Sequence, residues 1–408
     1  MDHRGEEFYI RTNDRGRNFR VVAAPLHAPH KANWREVVPH RDAVMITGAS
    51  LFASHMVLTE CEDAQQHLRI VDFGGGGEHR VALPEAVGTV RLDENRQFYT
   101  HTLRFRYESL TTPPSVYDYH VHTRDSVLLK REEVLGGYRP EDYQAERLWA
   151  EARDGTRIPI SLVYRKGARR AGGNPLLLYA YGAYGYASWP GFSHTRVSLL
   201  DRGVIYAIAH VRGGGEMGKR WHDQGRMGQK MNTFTDFIAA AELLISAGYT
   251  TPSLLAIQGG SAGGLLMGAV TNLRPDLFRA VIAEVPFVDV INTMLDTSVP
   301  LTVGEFEEWG NPAKPEEYAW IRRYSPYENI ESRAYPAMLV KTSWNDSQVM
   351  YWEPAKYVAR MRARNTGART LLLKTNLAGG HGGSSGRYDR LREVAFNYAF
   401  LLKEWGLA

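Results

Sequence analysis

From residue 174 onward the chain alternates two kinds of segment, and this alternation limits its fold more than any other feature. Short, continuously apolar runs occur at NPLLLYAYG, GVIYAIAHVR, SLLAIQGG, AVIAEVPF, PAMLVKTS and TLLLKTN. Amphipathic stretches accompany them: TFTDFIAAAELLISAG, AGGLLMGAVTNL, YWEPAKYVARMRAR and a last one, YDRLREVAFNYAFLLKEWG. A strand that is apolar along its whole length is buried on both faces, and helices between such strands are the crossovers covering a parallel sheet. The expectation is an α/β fold, doubly wound around a mostly parallel sheet. Just ahead, RLWAEARDGTRIPISLVYRK reads as a hairpin turning at Asp154-Gly155.

Before residue 139 the character differs. The runs EEFYIRT, RNFRVVAAPL, SHMVLTE, HLRIVDF, QFYTHTLRFRYESL and SVYDYHVHT are separated by turn clusters, with no helical period between them. Such spacing predicts an antiparallel all-β module, a sandwich or a propeller. The expected domains are therefore 1–138, all-β, and 139–408, α/β.

Composition removes several function classes. No run of about 18 apolar residues is present to span a membrane. The segment MDHRGEEFYI has no apolar core and does not read as a secretory signal, and the single cysteine, Cys61, suits a reducing compartment. A cytoplasmic protein is expected. Lys and Arg total 49 against 45 for Asp and Glu, a net charge of +4. That excess is too diffuse for a nucleic-acid surface, since no basic cluster interleaves with aromatic residues. No Cys/His cluster has metal-ligand spacing, so neither metal nor cofactor is expected.

The chemistry concentrates where LLAIQ runs into Gly259-Gly260-Ser261-Ala262-Gly263-Gly264 and then into LLMGAVTNL. This is G-x-S-x-G between a strand and a helix, the context in which a tight turn exposes a nucleophilic serine at a helix N-terminus. A serine hydroxyl needs a base, and the base needs an orienting acid. In α/β-hydrolases the acid and then the histidine follow the serine in the chain. PAMLVKTS ends at Trp344-Asn345-Asp346, and TLLLKTN leads into the glycine-rich loop around His381. Ser261, Asp346 and His381 are the expected triad.

Other motif matches fail on context. Gly382-Gly383-Ser384-Ser385-Gly386 repeats the serine pattern but follows a glycine loop rather than a strand. Gly213-Gly214-Gly215-Glu216-Met217-Gly218 fits a dinucleotide fingerprint, yet Asp236 falls in a helical stretch, and Arg212 suits a substrate-side loop better. His40-Arg41-Asp42 and Asp72-Phe73-Gly74 mimic kinase signatures, without the Asn five residues on or the lysine motif. Gly74 to Gly77 reads as a turn between strands.

Residues 139 to the end resemble the catalytic domain of the prolyl oligopeptidase family, within it the oligopeptidase B (protease II) branch. The segments LLLYAYGAYG, HVRGGGEMGKRW, QGGSAGGLLMG, VPFVDVINTMLD, GEFEEWGNP, DSQVMYWEPAK and GGHGGSSGR carry the resemblance. It implies an α/β-hydrolase fold preceded by a β-propeller, and a serine oligopeptidase cutting short basic peptides after Arg or Lys. Tyr181 is then implied to form the oxyanion hole with the Ala262 N–H. Glu305 and Glu307 match the family's acids for a basic side chain, which carboxylates bind through charge-assisted hydrogen bonds. Phe287 would supply an apolar wall.

Two departures accompany the resemblance. Acidic residues that favour a second basic residue are missing from Ser188-Trp189-Pro190-Gly191, so a weak dibasic preference is expected. The family's propeller has seven blades, whereas 138 residues make about three. A missing N-terminal propeller segment or a partner chain is one expectation, and a reduced natural form is the other. Alternatives to the endopeptidase are a carboxylesterase or exopeptidase on the same fold, or a catalytically impaired binding scaffold.

Overall fold

The computed structural model describes residues 1–407, which divide into two compact units. The first comprises Met1–Glu141 with Trp189–Ser193 and Gly215–Trp221; the second takes Asp142–Ser188, His194–Gly214 and the residues from His222 onward. The two short later segments of the first unit are a feature that a single cut in the sequence does not express.

The first unit is built from three four-stranded antiparallel sheets. The first contains β1 (Asp2–Arg4), β2 (Glu7–Thr12), β3 (Arg20–Pro25) and β4 (Arg35–Val38). The second contains β5 (Met45–Leu51), β6 (His55–Glu62), β7 (Gln65–Asp72) and β8 (Glu78–Arg80). The third contains β9 (Gly88–Leu92), β10 (Thr102–Ser109), β11 (Ser115–His120) and β12 (Ser126–Arg131). Strands adjacent in sequence are adjacent in each sheet, as in propeller blades. In β6, Met56 and Leu58 join Tyr9, Val21, Val38 and Ile46 in one core. Val57, on the opposite face, joins Leu68, Ile70, Val90 and Phe105 in another. The middle sheet is thus buried on both faces, and the single-residue alternation of β6 decides which side chain serves which core.

The second unit has one eight-stranded sheet. Its strands are β13 (Tyr143–Glu151), β14 (Arg157–Arg165), β15 (Leu176–Tyr179), β16 (Ile205–Ala209), β17 (Leu255–Gly260), β18 (Ala280–Glu284), β19 (Ala337–Ser343) and β20 (Leu371–Asn376). The order is β13-β14-β16-β15-β17-β18-β19-β20, with β14 antiparallel to both neighbours and the rest parallel. The expected hairpin is the β13–β14 pair, closed at Gly155 with φ 79°. On one face Leu177, Ala256, Ile282 and Leu339 pack against Phe400, Leu401 and Trp405 of the helix Arg387–Trp405. The helix Ala262–Leu273 is buried along nearly its whole length. The strand order reverses between β15 and β17, and crevices of such sheets open at that point beyond the strand ends. Among the described residues no helix is long and apolar enough to cross a membrane.

Arg212 corrects an expectation. It is 3% exposed and does not stand on a substrate-side loop. Its Nε and backbone N–H donate to Asp236 Oδ2 at 2.8 and 3.0 Å, and Nη1 reaches Asp154 at 2.6 Å. Asp236 is itself fully buried and requires a cation there, so this arginine is held by the fold's interior.

Candidate active site

The turn after β17 sets the geometry. Ser261 sits at φ 56°, ψ −119°, a conformation unfavourable for any residue with a Cβ. It is pinned by its N–H donating to the Glu284 carbonyl at 2.8 Å and by the Phe287 N–H donating to its own carbonyl at 3.2 Å. The flanking glycines make the turn possible. A Cβ on Gly259 would lie 2.4 Å from the Gly263 carbonyl oxygen, and one on Gly264 would lie 2.5 Å from Pro286 Cα. The serine therefore projects from the sheet edge at the start of a helix.

Asp346 follows β19 and is almost fully buried. Both its oxygens accept from His381 Nδ1, at 2.9 and 2.7 Å, while Oδ1 also accepts the N–H groups of Gln348 and Val349, each at 2.9 Å. Those amides fix the carboxylate, which in turn orients the imidazole with Nε2 away from it. The histidine loop has its own supports. Asn376 Oδ1 accepts from the N–H groups of Ala378 and Gly379, and the Ser384 hydroxyl donates to Glu393 at 3.1 Å. Ser384, the second motif serine, is thereby a loop fastener. Ser261 and His381 both line a cavity of about 430 Å³.

Tyr181, in the loop leaving β15, is within hydrogen-bonding reach of the Ser261 side chain. Burial pushes its phenol pKa up and the Ser261 contact opposes this, so the group stays a proton donor at neutral pH. Ala262 opens the helix beside it and carries an unbonded-type N1 amide, the kind of donor that faces a developing oxyanion.

A second, smaller cavity of about 80 Å³ also reaches Ser261 and is lined by Tyr181, Tyr184, Ala262, Phe287, Glu305 and Val349 among others. Glu305 Oε2 accepts from Tyr184 Oη at 2.9 Å and from Trp309 Nε1 at 2.7 Å. The structure thus brings Glu305 and Phe287 to the serine, but not Glu307. That side chain is exposed and outside both cavities, and only its carbonyl is engaged, by Arg226 at 3.0 Å. The next acid, Glu308, is the buried one, held by His222 Nε2 at 2.6 Å and the Tyr184 N–H at 3.0 Å. Burial pushes Glu308 up, yet His222 and the nearby Lys230 outweigh it and hold it low. Lys230, under the Trp309 ring, is pushed down to about 8 by burial.

Tyr184 and Trp309 are not catalytic residue types and so are not marked by type in the sequence, while Glu308 stands there only as the third acid of GEFEEWGNP. A signal existed for Trp309, which follows Glu305 by four residues and so shares its helical face.

Comparisons with known proteins show which family the chain resembles along its whole length. Residues 190–408 match the family described as "Prolyl oligopeptidase family", and residues 1–132 match "Prolyl oligopeptidase, N-terminal beta-propeller domain". Dipeptidyl aminopeptidase BI of Pseudoxanthomonas mexicana is 47% identical over 100% of this chain and 56% of its own length. Protease 2 of Moraxella lacunata is 40% identical, over 100% and 58%. Among solved structures, oligopeptidase B from Leishmania major aligns at TM-score 0.91 and 39% identity, covering 99% of this chain and 58% of that one. Oligopeptidase B from Trypanosoma brucei with covalently bound antipain aligns at 0.92 and 41%, with the same coverage. The chain spans less than three-fifths of the length of each of these relatives.

Proposed function

The chain belongs to the prolyl oligopeptidase family, and from that premise we propose that it is a serine peptidase hydrolysing short peptides after Arg or Lys. Ser261 attacks the carbonyl of the bond, with His381 accepting its proton and then giving it to the departing amine. Asp346 holds the imidazole tautomer and stabilises the imidazolium. Tyr181 and the Ala262 N–H take the oxyanion, a contribution worth about 10²–10³ in kcat per donor. Glu305 pairs with the basic side chain, held for that task by Tyr184 and Trp309. The observation that carries the reading is that His381, held by Asp346 at 2.7 Å, lines one cavity with a serine in strained turn geometry.

An exopeptidase is the second reading, favoured by the 47% identity to a relative named for dipeptide release. One experiment addresses both. The purified chain is given an N-blocked arginyl arylamide and the corresponding dipeptidyl arylamide with a free amine, alongside a fluorophosphonate probe. Turnover of the blocked substrate, with labelling lost in Ser261→Ala, is the expected result. Turnover of the free-amine substrate alone would select the exopeptidase, and an unlabelled, folded chain would rule out both.

A further inference from the structure

The larger cavity beside Ser261 has a wall that the triad does not use. Gly260, Glu284, Lys341 and Lys374 are register partners across β17, β18, β19 and β20, and so form one row on one face of the sheet. All four line the cavity together with Ser261 and His381. Three of the charged groups on this wall are already satisfied. Lys341 pairs with Glu284 at 2.9 Å, and Gln258 and Asn397 add hydrogen bonds to Glu284 at 2.8 and 3.0 Å. Glu393 accepts from Asn376 and Ser384. Lys374 differs: its ammonium lies 3.6 Å from the Phe396 ring centroid, and no carboxylate pairs with it among the described residues. The ring holds the side chain in place and leaves the charge available to an anion.

Chemistry gives this wall a direction. On the peptidase reading the basic side chain of the acyl half occupies the small Glu305 cavity, which Ala262 lines and Gly260 does not. The leaving amine takes its proton from the histidine and so departs past His381, into the cavity that Lys374 lines. The row from Gly260 to Lys374 crosses three interstrand spacings, roughly 14 Å. The lysine side chain reaches back over part of that distance, and an extended peptide advances about 3.3–3.6 Å per residue.

We propose that Lys374 binds the C-terminal carboxylate of the leaving peptide, so that the preferred substrates are peptides cut about three residues from a free C-terminus. The inference rests on the peptidase reading above and adds the substrate's other end. A single ammonium–carboxylate contact in a half-enclosed cavity corresponds to about tenfold in kcat/KM.

The test uses peptides sharing one blocked arginyl acyl half, with leaving segments of one to six residues, each made as free acid and as amide. Every rate is divided by the same chain's rate on the arginyl arylamide, whose leaving group has no carboxylate. The expected result is a free-acid preference of about tenfold that peaks near three residues. It should collapse toward unity in Lys374→Met, which keeps an apolar stem on Phe396, and persist in Lys374→Arg. Equal rates for acid and amide in the parent chain, or an undiminished preference in Lys374→Met, would overturn the proposal while leaving the arylamide result standing. Absence of turnover on every substrate, the arylamide included, would overturn the peptidase reading and this inference with it.

Discussion

Two residues of a helical turn differ by about 200° in direction, and that rotation separates Glu305 from Glu307. Glu305, Glu308 and Trp309 share the inward face, so the first acid meets the small cavity and the second is left to solvent. The Tyr184 hydroxyl and Trp309 indole that bond Glu305 orient it without neutralising it, so its charge stays available to a guanidinium. Glu305→Gln is therefore expected to raise KM for the arginyl arylamide about tenfold or more, whereas Glu307→Gln should stay within about twofold. Steady-state kinetics on both variants check this. Equal effects would return Glu307 to the pocket, and no effect from Glu305 would remove the acid from substrate recognition.

Elements rather than single residues hold the wall of the small cavity in place, and Glu353 shows how. It is fully buried at the start of the helix Trp352–Arg364. Its carboxylate accepts the N–H groups of Val288 and Asp289 at 3.1 and 3.0 Å and the Thr293 hydroxyl. The segment it ties down supplies Phe287, Thr293 and Met294 to the small cavity. Burial pushes its pKa up to about 7, and neighbouring Asp289, itself paired with Lys356, pushes the same way. Between the ordinary glutamate value and about 7 the folded chain holds a proton that the unfolded chain has lost. Stability must then fall as pH rises through that window, by up to about 3 kcal/mol, with the full cost present above it. Glu353→Gln removes this titration, so the drop in Tm between pH 5 and pH 7.5 should be smaller than in the parent. An identical drop in both chains would mean that Glu353 does not titrate there. Nothing in the sequence marks this residue, because WEPAK reads simply as the start of an amphipathic helix. The serine elbow was legible because its mechanics are local, a strand, glycines and a helix in consecutive residues. The six apolar strands announced the sheet for a similar reason, since burial on both faces leaves no polar alternation. Strands β1, β4, β5, β8, β9 and β12 lie outside the β-rich runs, because short, exposed or glycine-interrupted strands carry little pattern.

At the scale of the whole molecule, the sites discussed fall within the second unit, while the first carries a different liability. In the third sheet β12 pairs only with β11, and every one of its six residues is exposed. Val127, Leu128 and Leu129 remain 59%, 44% and 48% accessible, an apolar run on an open strand edge. Unpaired N–H and C=O groups beside such side chains form a template for a strand from another molecule. Lys130 and Arg131 guard one end of the run, but the other end has only Ser126 inside the strand. The net charge of +4 is small for 408 residues and offers little long-range repulsion to keep two edges apart. Leu128→Lys places a charge at the centre of this exposed edge, and it should lower concentration-dependent light scattering while leaving arylamide turnover intact. Scattering that is unchanged, with Tm also unchanged, would show that this edge is not where molecules associate.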